Sequence, residues 1–241
     1  MIICVYALVR PAPARLNLTG VTGEKLRVVT VRQLSAVVGE MRRAPAPSVR
    51  NLRRYAAVVE AVAVRTPALL PARFGTTVAD GEELRFILTS RNASLRRGLR
   101  AVRARRQMTL RLLGSDPDDA AFRGPTPVTP RSGVGPRNGA TQGTQYLQRR
   151  WAMAKEARAI PGFEPIRAAV QRFVKDERVE KRGGVVTVNH LVPRTAVTQY
   201  VAAVRRAAND NHLRLTVSGP WAPYAFADNL STRSARSGQG W

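Results

Sequence analysis

Catalysis needs a usable set of side chains: a nucleophile with a base, paired carboxylates, a cluster of metal ligands or a glycine-rich phosphate loop. In this 241-residue chain the candidates are few. The two histidines, His190 and His212, stand with no cysteine or acidic cluster beside them in sequence, so neither has the spacing of a metal ligand. Cys4, the single cysteine, lies among Ile2, Ile3, Val5 and Tyr6 and reads as a buried strand thiol without a local base. A Cys–His pair meeting in space stays open at this level. Asp116, Asp118 and Asp119 lack the turn glycine and distal glutamate of a calcium loop. The segment from Gly20 to Lys25 fails the spacing of a phosphate loop, has no Ser or Thr after Lys25, and precedes a strand instead of opening a helix. No GxSxG, HExxH, paired CxxC or GxGxxG element occurs. We therefore expect no catalytic, cofactor-binding or metal-binding residue, and no enzyme.

The elements that would position any site follow from periodicity. Strands are expected at 2–9, 26–31, 34–40 and 107–113, with an extended stretch at 68–74. A helix capped by Ser48 is expected over 49–64, burying Leu52, Tyr55, Val59 and Val62. A long helix capped by Asp80 is expected to run to about 104 through Leu84, Ile87, Leu88, Leu95, Leu99 and Val102. Residues 114–145 are rich in Pro, Gly, Thr and Ser and read as a flexible linker. Beyond it, helices are expected at 146–157, 164–175 and from 196, the last capped by Thr195. Strands are expected at 177–181, 184–192 and 213–218. The fold class is α+β in two domains, 1–113 and 146–228, antiparallel sheets with helices packed on them, on one face in the first, followed by a disordered tail over 229–241.

Charge is the outstanding bulk property. Lys and Arg number 40 against 16 Asp and Glu, a formal charge of +24, and only four of the cations are lysine. Such a chain attracts acidic proteins, anionic surfaces and nucleic acid. Between Arg91 and Arg111 the sequence holds eight arginines and no acid. Arg91, Arg96, Arg97, Arg100 and Arg103 are the candidate partner-binding residues. Compositional bias toward Arg over solvated faces accounts for the same pattern. A nucleic-acid or anionic-surface binding module is the alternative function, although the aromatic interleaving of a single-strand platform is missing. The apolar start has no basic leader and is cut short at Arg10-Pro11, and no stretch approaches the roughly 18–20 apolar residues of a membrane span. A cytoplasmic setting is expected.

Three stretches are less generic: Leu70-Pro71-Ala72-Arg73-Phe74-Gly75-Thr76, Asn189-His190-Leu191-Val192-Pro193-Arg194, and Gly219-Pro220-Trp221-Ala222-Pro223-Tyr224-Ala225-Phe226. Arg73, within an apolar run, is expected to be buried and paired. Trp221, Tyr224 and Phe226 are expected to fold back as an apolar plug. Together with Tyr6-Ala7-Leu8 and with Tyr146, Leu147 and Arg150, these stretches in this order resemble the GvpF/GvpL family of gas vesicle proteins. The resemblance covers about residues 1–113 and 143–228. It implies a two-domain α+β fold with a ferredoxin-like arrangement in at least one half. It also implies a minor protein that contacts the shell protein GvpA and other accessory gas vesicle proteins. Leu70, Pro71, Arg73, Phe74, Gly75, Val192, Pro193, Arg194, Gly219, Pro220, Trp221, Pro223, Tyr224 and Phe226 are then motif positions whose expected role is structural.

Overall fold

The computed structural model describes residues 1–113, 160, 162–182 and 185–227. The linker, the helix expected at 146–157 with Tyr146, Leu147 and Arg150, the three aspartates at 116–119 and the tail lie outside the described residues.

The first sheet is built around β1 (Ile2–Arg10), which pairs antiparallel with β3 (Leu34–Met41) on one side and with β4 (Ala68–Pro71) and β5 (Thr77–Val78) on the other; β2 (Leu26–Val31) lies beyond β3. The run of β1 is apolar throughout because both of its faces are covered. Ile3, Val5 and Leu8 pack in one cluster, and Cys4, Tyr6, Ala7 and Val9 in the other. Two adjacent residues, Tyr6 and Ala7, share a face because the register with β3 slips between Val5 and Ala7, as a β-bulge does. The expectation of helices on one face is thus corrected. Helix α1 (Val49–Arg65) covers the Tyr6 face, while α2 (Gly81–Ser90) and α3 (Asn92–Ala101) cover the Val5 face.

Ser48 does cap α1, accepting the Asn51 N–H at 3.2 Å. Tyr55, Val59 and Val62 are buried as expected, but Leu52 is exposed because the buried stripe runs through Val58 instead. Asp80 caps α2 by accepting the N–H groups of Glu82 and Glu83, each at 2.9 Å. The long helix expected beyond it is two helices. Arg91 leaves the helical region at φ −102°, ψ 11° and closes α2 while opening α3. All six apolar positions expected there are buried. The β2–β3 hairpin turns on Arg32 and Gln33, both at positive φ, in a geometry usually filled by Asn and Gly. Arg10 Nη2 donates to Gln33 Oε1 at 3.1 Å beside it.

The strand expected at 107–113 runs from Arg105 to Leu113, here β6, and it does not join the first sheet. It is an inner strand of the second sheet, between β8 (Val185–Pro193) and β9 (Leu215–Trp221), with β7 (Asp176–Arg182) at the far edge beyond β8. Two helices, α4 (Glu164–Val170) and α5 (Val197–Asp210), pack on one face. The order strand, helix, strand, strand, helix, strand with the spatial sequence β7-β8-β6-β9 is the ferredoxin-like arrangement. Helix α4 is shorter than the 164–175 expected, since residues 171–173 form a turn. Thr195 caps nothing: Arg194–Ala196 is a 3-10 turn, and α5 starts at Val197 with Ala196 in the cap position. Strand β9 starts and ends later than expected.

Candidate functional site

Of the titratable groups that might have formed a reaction centre, His190 and Cys4 are buried in different sheets and His212 is exposed. His190 is wholly buried on β8, with Nδ1 2.7 Å from the Tyr200 hydroxyl and Nε2 2.9 Å from Glu177 Oε2. Arg167 donates to the other side of Glu177, its Nη2 3.2 Å from Oε1. These bonds, His190 first, hold the Glu177 carboxyl down to about 2. Both imidazole nitrogens are occupied, so neither can exchange a proton with a substrate without giving up one of these bonds. Cys4 stands in the other sheet. Burial, and then the nearby Glu24 charge, push its thiol up to about 12. His212 sits in the turn after α5 at φ 51°. The segment from Gly20 to Lys25 is a turn, closed by a bridge between Thr19 and Lys25. Its Glu24 accepts the Tyr6 hydroxyl and the Thr22 N–H, the latter at 2.9 Å. Among the described residues no three His, Cys, Asp or Glu are grouped to hold a metal ion.

The three motif stretches, far apart in sequence, come together along the seam between the sheets. In the first, Pro71 ends β4 opposite Ala7, on an edge where its missing N–H costs little. The edge then breaks. Between β4 and β5, only the Ala72 N–H to Tyr6 carbonyl bond (2.9 Å) and the Val5 N–H to Thr76 carbonyl bond (2.9 Å) link it to β1. The Tyr55 hydroxyl of α1 fills the break, donating to the Ala72 carbonyl at 2.8 Å, with the Tyr6 carbonyl at 3.1 Å. The Phe74 ring meets Tyr55 edge-on at 5.5 Å, and Gly75 turns the chain at φ 79°. Leu70 is buried against Gly98 of α3, where a Cβ would lie 3.0 Å from Leu70 Cδ1. Arg73 is exposed rather than buried, because the break turns its side chain away from β1.

In the second stretch, Val192 is buried beneath the α5 side of the sheet, and Pro193 ends β8. Arg194 then reaches across the seam. Its Nη2 donates to the carbonyls of Ala63 and Thr66 at the end of α1, each at 2.8 Å. A cation there complements the helix dipole and satisfies terminal carbonyls. Its backbone N–H donates to the Ala104 carbonyl at 2.9 Å, and the Ala104 N–H to the Pro67 carbonyl at 2.7 Å.

In the third stretch, Gly219 adopts φ 114° and passes so close to β6 that a Cβ would lie 2.7 Å from the Gln107 carbonyl oxygen. Past Pro220 the chain folds over α1. The Ala222 N–H donates to Glu60 Oε1, and the other Glu60 oxygen holds Arg106 Nη1 at 2.9 Å. The Ala225 N–H donates to Gln107 Oε1 at 2.8 Å. Phe226 is buried in the first sheet's core beside Leu191, a placement that stabilises the seam by ~1.5–3 kcal/mol. The expected plug is therefore one ring, not three. Pro223 is buried, but Trp221 and Tyr224 remain exposed at 46% and 38%, because the tight turn after Ala222 leaves room beneath it only for Phe226.

The arginines singled out from sequence lie mainly on α3, across the first sheet from α1. Arg97 and Arg100 are exposed on α3, Arg96 is half-buried, Arg91 sits at the α2–α3 break, and Arg103 is exposed in the turn leading to β6. Sequence reasoning missed Glu60, Arg106 and Gln107, whose partners across the seam lie more than forty positions away and leave no local mark.

The chain matches the family described as gas vesicle synthesis protein GvpL/GvpF over residues 3–228. It is 26% identical over 237 residues to gas vesicle protein F of Streptomyces sp. (strain CB03234), covering 93% of this chain and 98% of that one. Its fold is similar to the crystal structure of GvpF from Anabaena sp. PCC7120, with a TM-score of 0.70 at 17% identity over 94% of this chain and 96% of the other. It is similar also to GvpF from Microcystis aeruginosa, with a TM-score of 0.69 at 16% identity over 94% and 99%.

Proposed function

The chain belongs to the gas vesicle GvpL/GvpF family, and from that premise we propose that it is a non-enzymatic accessory protein of gas vesicle assembly. In this reading it binds the shell protein GvpA and other accessory gas vesicle proteins in the cytoplasm, and nucleates or chaperones shell formation. The observation that carries the reading is a family match running through both sheets and all three seam stretches. The saturation of His190 and the burial of Cys4 support a role without chemistry. Among the described residues no helix is long and apolar enough to cross a membrane.

A shell subunit must be kept from self-association until it joins the wall. A strongly basic partner accelerates encounter with an acidic one, in a salt-dependent way, while apolar contacts hold the complex. Arg91, Arg96, Arg97, Arg100 and Arg103 serve the first task in this proposal. Co-purification of GvpA with the full chain at low and high salt tests it. Capture that weakens with salt, and weakens at low salt when these arginines become Gln, is expected. Undiminished low-salt capture by that variant would remove them from the mechanism. The alternative, nucleic-acid or anionic-surface binding, rests on the +24 charge. It would show as a salt-dependent mobility shift of duplex DNA by a chain that captures no GvpA.

A further inference from the structure

Past Trp221 the chain leaves the second sheet and runs on as a strap, residues 222–227, that straddles the edge of the first sheet. Its Ala222 end is buried in the cluster on the α1 side of that sheet, and its Phe226 end in the cluster on the α2 and α3 side. Between these anchors a single turn of 3-10 helix, Tyr224–Phe226, begins and lies against β4. The strap closes on itself. The Tyr224 N–H donates to the Ala222 carbonyl at 2.8 Å, and the Phe226 N–H to the Pro223 carbonyl at 3.1 Å. Among the described residues, none of its main-chain groups pairs with the backbone of a strand.

The atoms that receive the strap are held in place by other partners. Glu60 Oε1 accepts the Ala222 N–H, while the other Glu60 oxygen binds Arg106 Nη1 at 2.9 Å. Gln107 Oε1 accepts the Ala225 N–H at 2.8 Å, while its Nε2 donates to Thr109 Oγ1 at 3.1 Å and to Asn189 Oδ1 at 2.9 Å. Arg178 of β7 lies over the Phe226 ring, 5.5 Å from its centroid. All of these groups stand on α1, β6, β7 and β8. If the strap leaves, each acceptor keeps a bond that fixes its direction, so the site is prepared before its occupant arrives. Ordering the strap costs conformational entropy at every residue. One buried ring, the buried Ala222 and Pro223, and two bonds to side chains offset that cost. β6, by contrast, is laddered on both edges.

We infer that the strap is an internal ligand of a groove between the sheets, and that it moves in and out of this groove while both sheets stay folded. What the groove recognises is a peptide turn. It takes two main-chain N–H groups three residues apart, a small residue at the first, and an aromatic ring one residue beyond the second. Ala222 is wholly buried, which leaves no room for a larger side chain in a close-packed cluster. Opening turns the two acceptor oxygens and the Phe226 slot toward solvent, and a turn of the same pattern then competes with the strap for them. Local opening belongs to segments with few ladder bonds, and this is such a segment. The motion is a property of the fold and stands apart from the assembly reading above.

Amide exchange of the full wild-type chain tests the motion. The Ala222 and Ala225 N–H groups are expected to exchange roughly tenfold or more faster than the Leu110 N–H of β6. Their rates should stay flat in low denaturant while that of Leu110 rises, because opening the strap exposes little surface. Strap amides that exchange at the rate of Leu110, with its denaturant slope, overturn the inference, since strap and sheets then open together. The groove is tested in trans with the full-length Phe226→Ala chain and a synthetic peptide of residues 221–227. In a variant whose β6 amides keep wild-type protection, saturable shifts of the Leu191 methyl signals are expected with this peptide. Binding roughly tenfold or more weaker is expected when the peptide itself carries Phe226→Ala. Equal responses to the two peptides, or none to either, overturn the groove as a receptor for the turn. The wild-type exchange rates decide the motion whether or not Phe226→Ala folds.

Discussion

Arg194 donates through Nη2 to the Thr66 carbonyl at 2.8 Å, joining the end of the second sheet's β8 to the end of α1. The same nitrogen holds the Ala63 carbonyl. A charged group bonded to buried carbonyls contributes ~1.5–3 kcal/mol, and losing it strands the acceptors. Arg194→Met, which keeps the apolar stem, is expected to lower unfolding free energy by about that amount in a denaturant titration. Arg194→Lys is expected to recover part of the loss, because an ammonium is a point donor where the guanidinium is a planar fork.

Tyr55→Phe removes the hydroxyl that fills the break in the β4–β5 edge while keeping the ring stacked on Tyr6 at 5.1 Å. The expected cost is ~1–2 kcal/mol. Faster amide exchange confined to Ala72 and Val5, which bond to each other's strand on either side of the break, would locate the effect.

Gly219→Ala forces a side chain onto φ 114° and into the Gln107 carbonyl. A destabilisation of roughly 2–4 kcal/mol is expected from strain and overpacking together. Gly81→Ala is the matched control: nothing lies within 4 Å of its Cβ and it starts α2. A change within about 0.5 kcal/mol is expected there.

Glu177 titrates at about 2 in the folded chain, below its ordinary 4.5, because His190 and Arg167 bond to the ionised form. A depressed carboxylate contributes stability that is complete above the ordinary value and is lost as pH falls from there toward about 2. Thermal midpoints of the wild type are expected to fall through that window. Glu177→Gln should start lower at neutral pH and decline less steeply. Parallel curves for the two would mean that the His190–Glu177 pair is not what titrates.

Cys4, raised to about 12 by burial, should resist alkylation at pH 8 in the native chain and react at once in denaturant. Equal rates in both would contradict its burial in β1.

The elements with strong periods were legible from residues alone. The β1 run, the Ser48 and Asp80 caps and the buried stripe of α2 and α3 are all local, and local chemistry decides them. What was not legible was non-local. Leu84 to Val102 keeps a helical period straight through Arg91, so nothing in that period marks the break. Residues 107–113 follow α3 without a linker, and only their partners on β8 and β9 show which sheet they enter. The aromatic stretch from Trp221 to Phe226 reads as three equivalent apolar residues. Its division into one buried ring and two exposed ones depends on the turn that Glu60 ties down from α1. The motif stretches could be ordered along the chain, but their meeting at one seam rests on Glu60, Gln107 and Arg194 crossing it.

The placement of β6 also sets a timetable for a chain made from its N-terminus. Every pairing of the first sheet is available once Val78 has emerged. β6 leaves the ribosome soon after, yet both neighbours it needs, β8 and β9, begin only at Val185 and Leu215. At about 5–20 residues per second, a strand carrying Met108, Leu110 and Leu112 spends several seconds of translation with both edges open. The arginines at 105, 106 and 111 set positive charge beside that apolar row, and like charge on a second open strand disfavours pairing there.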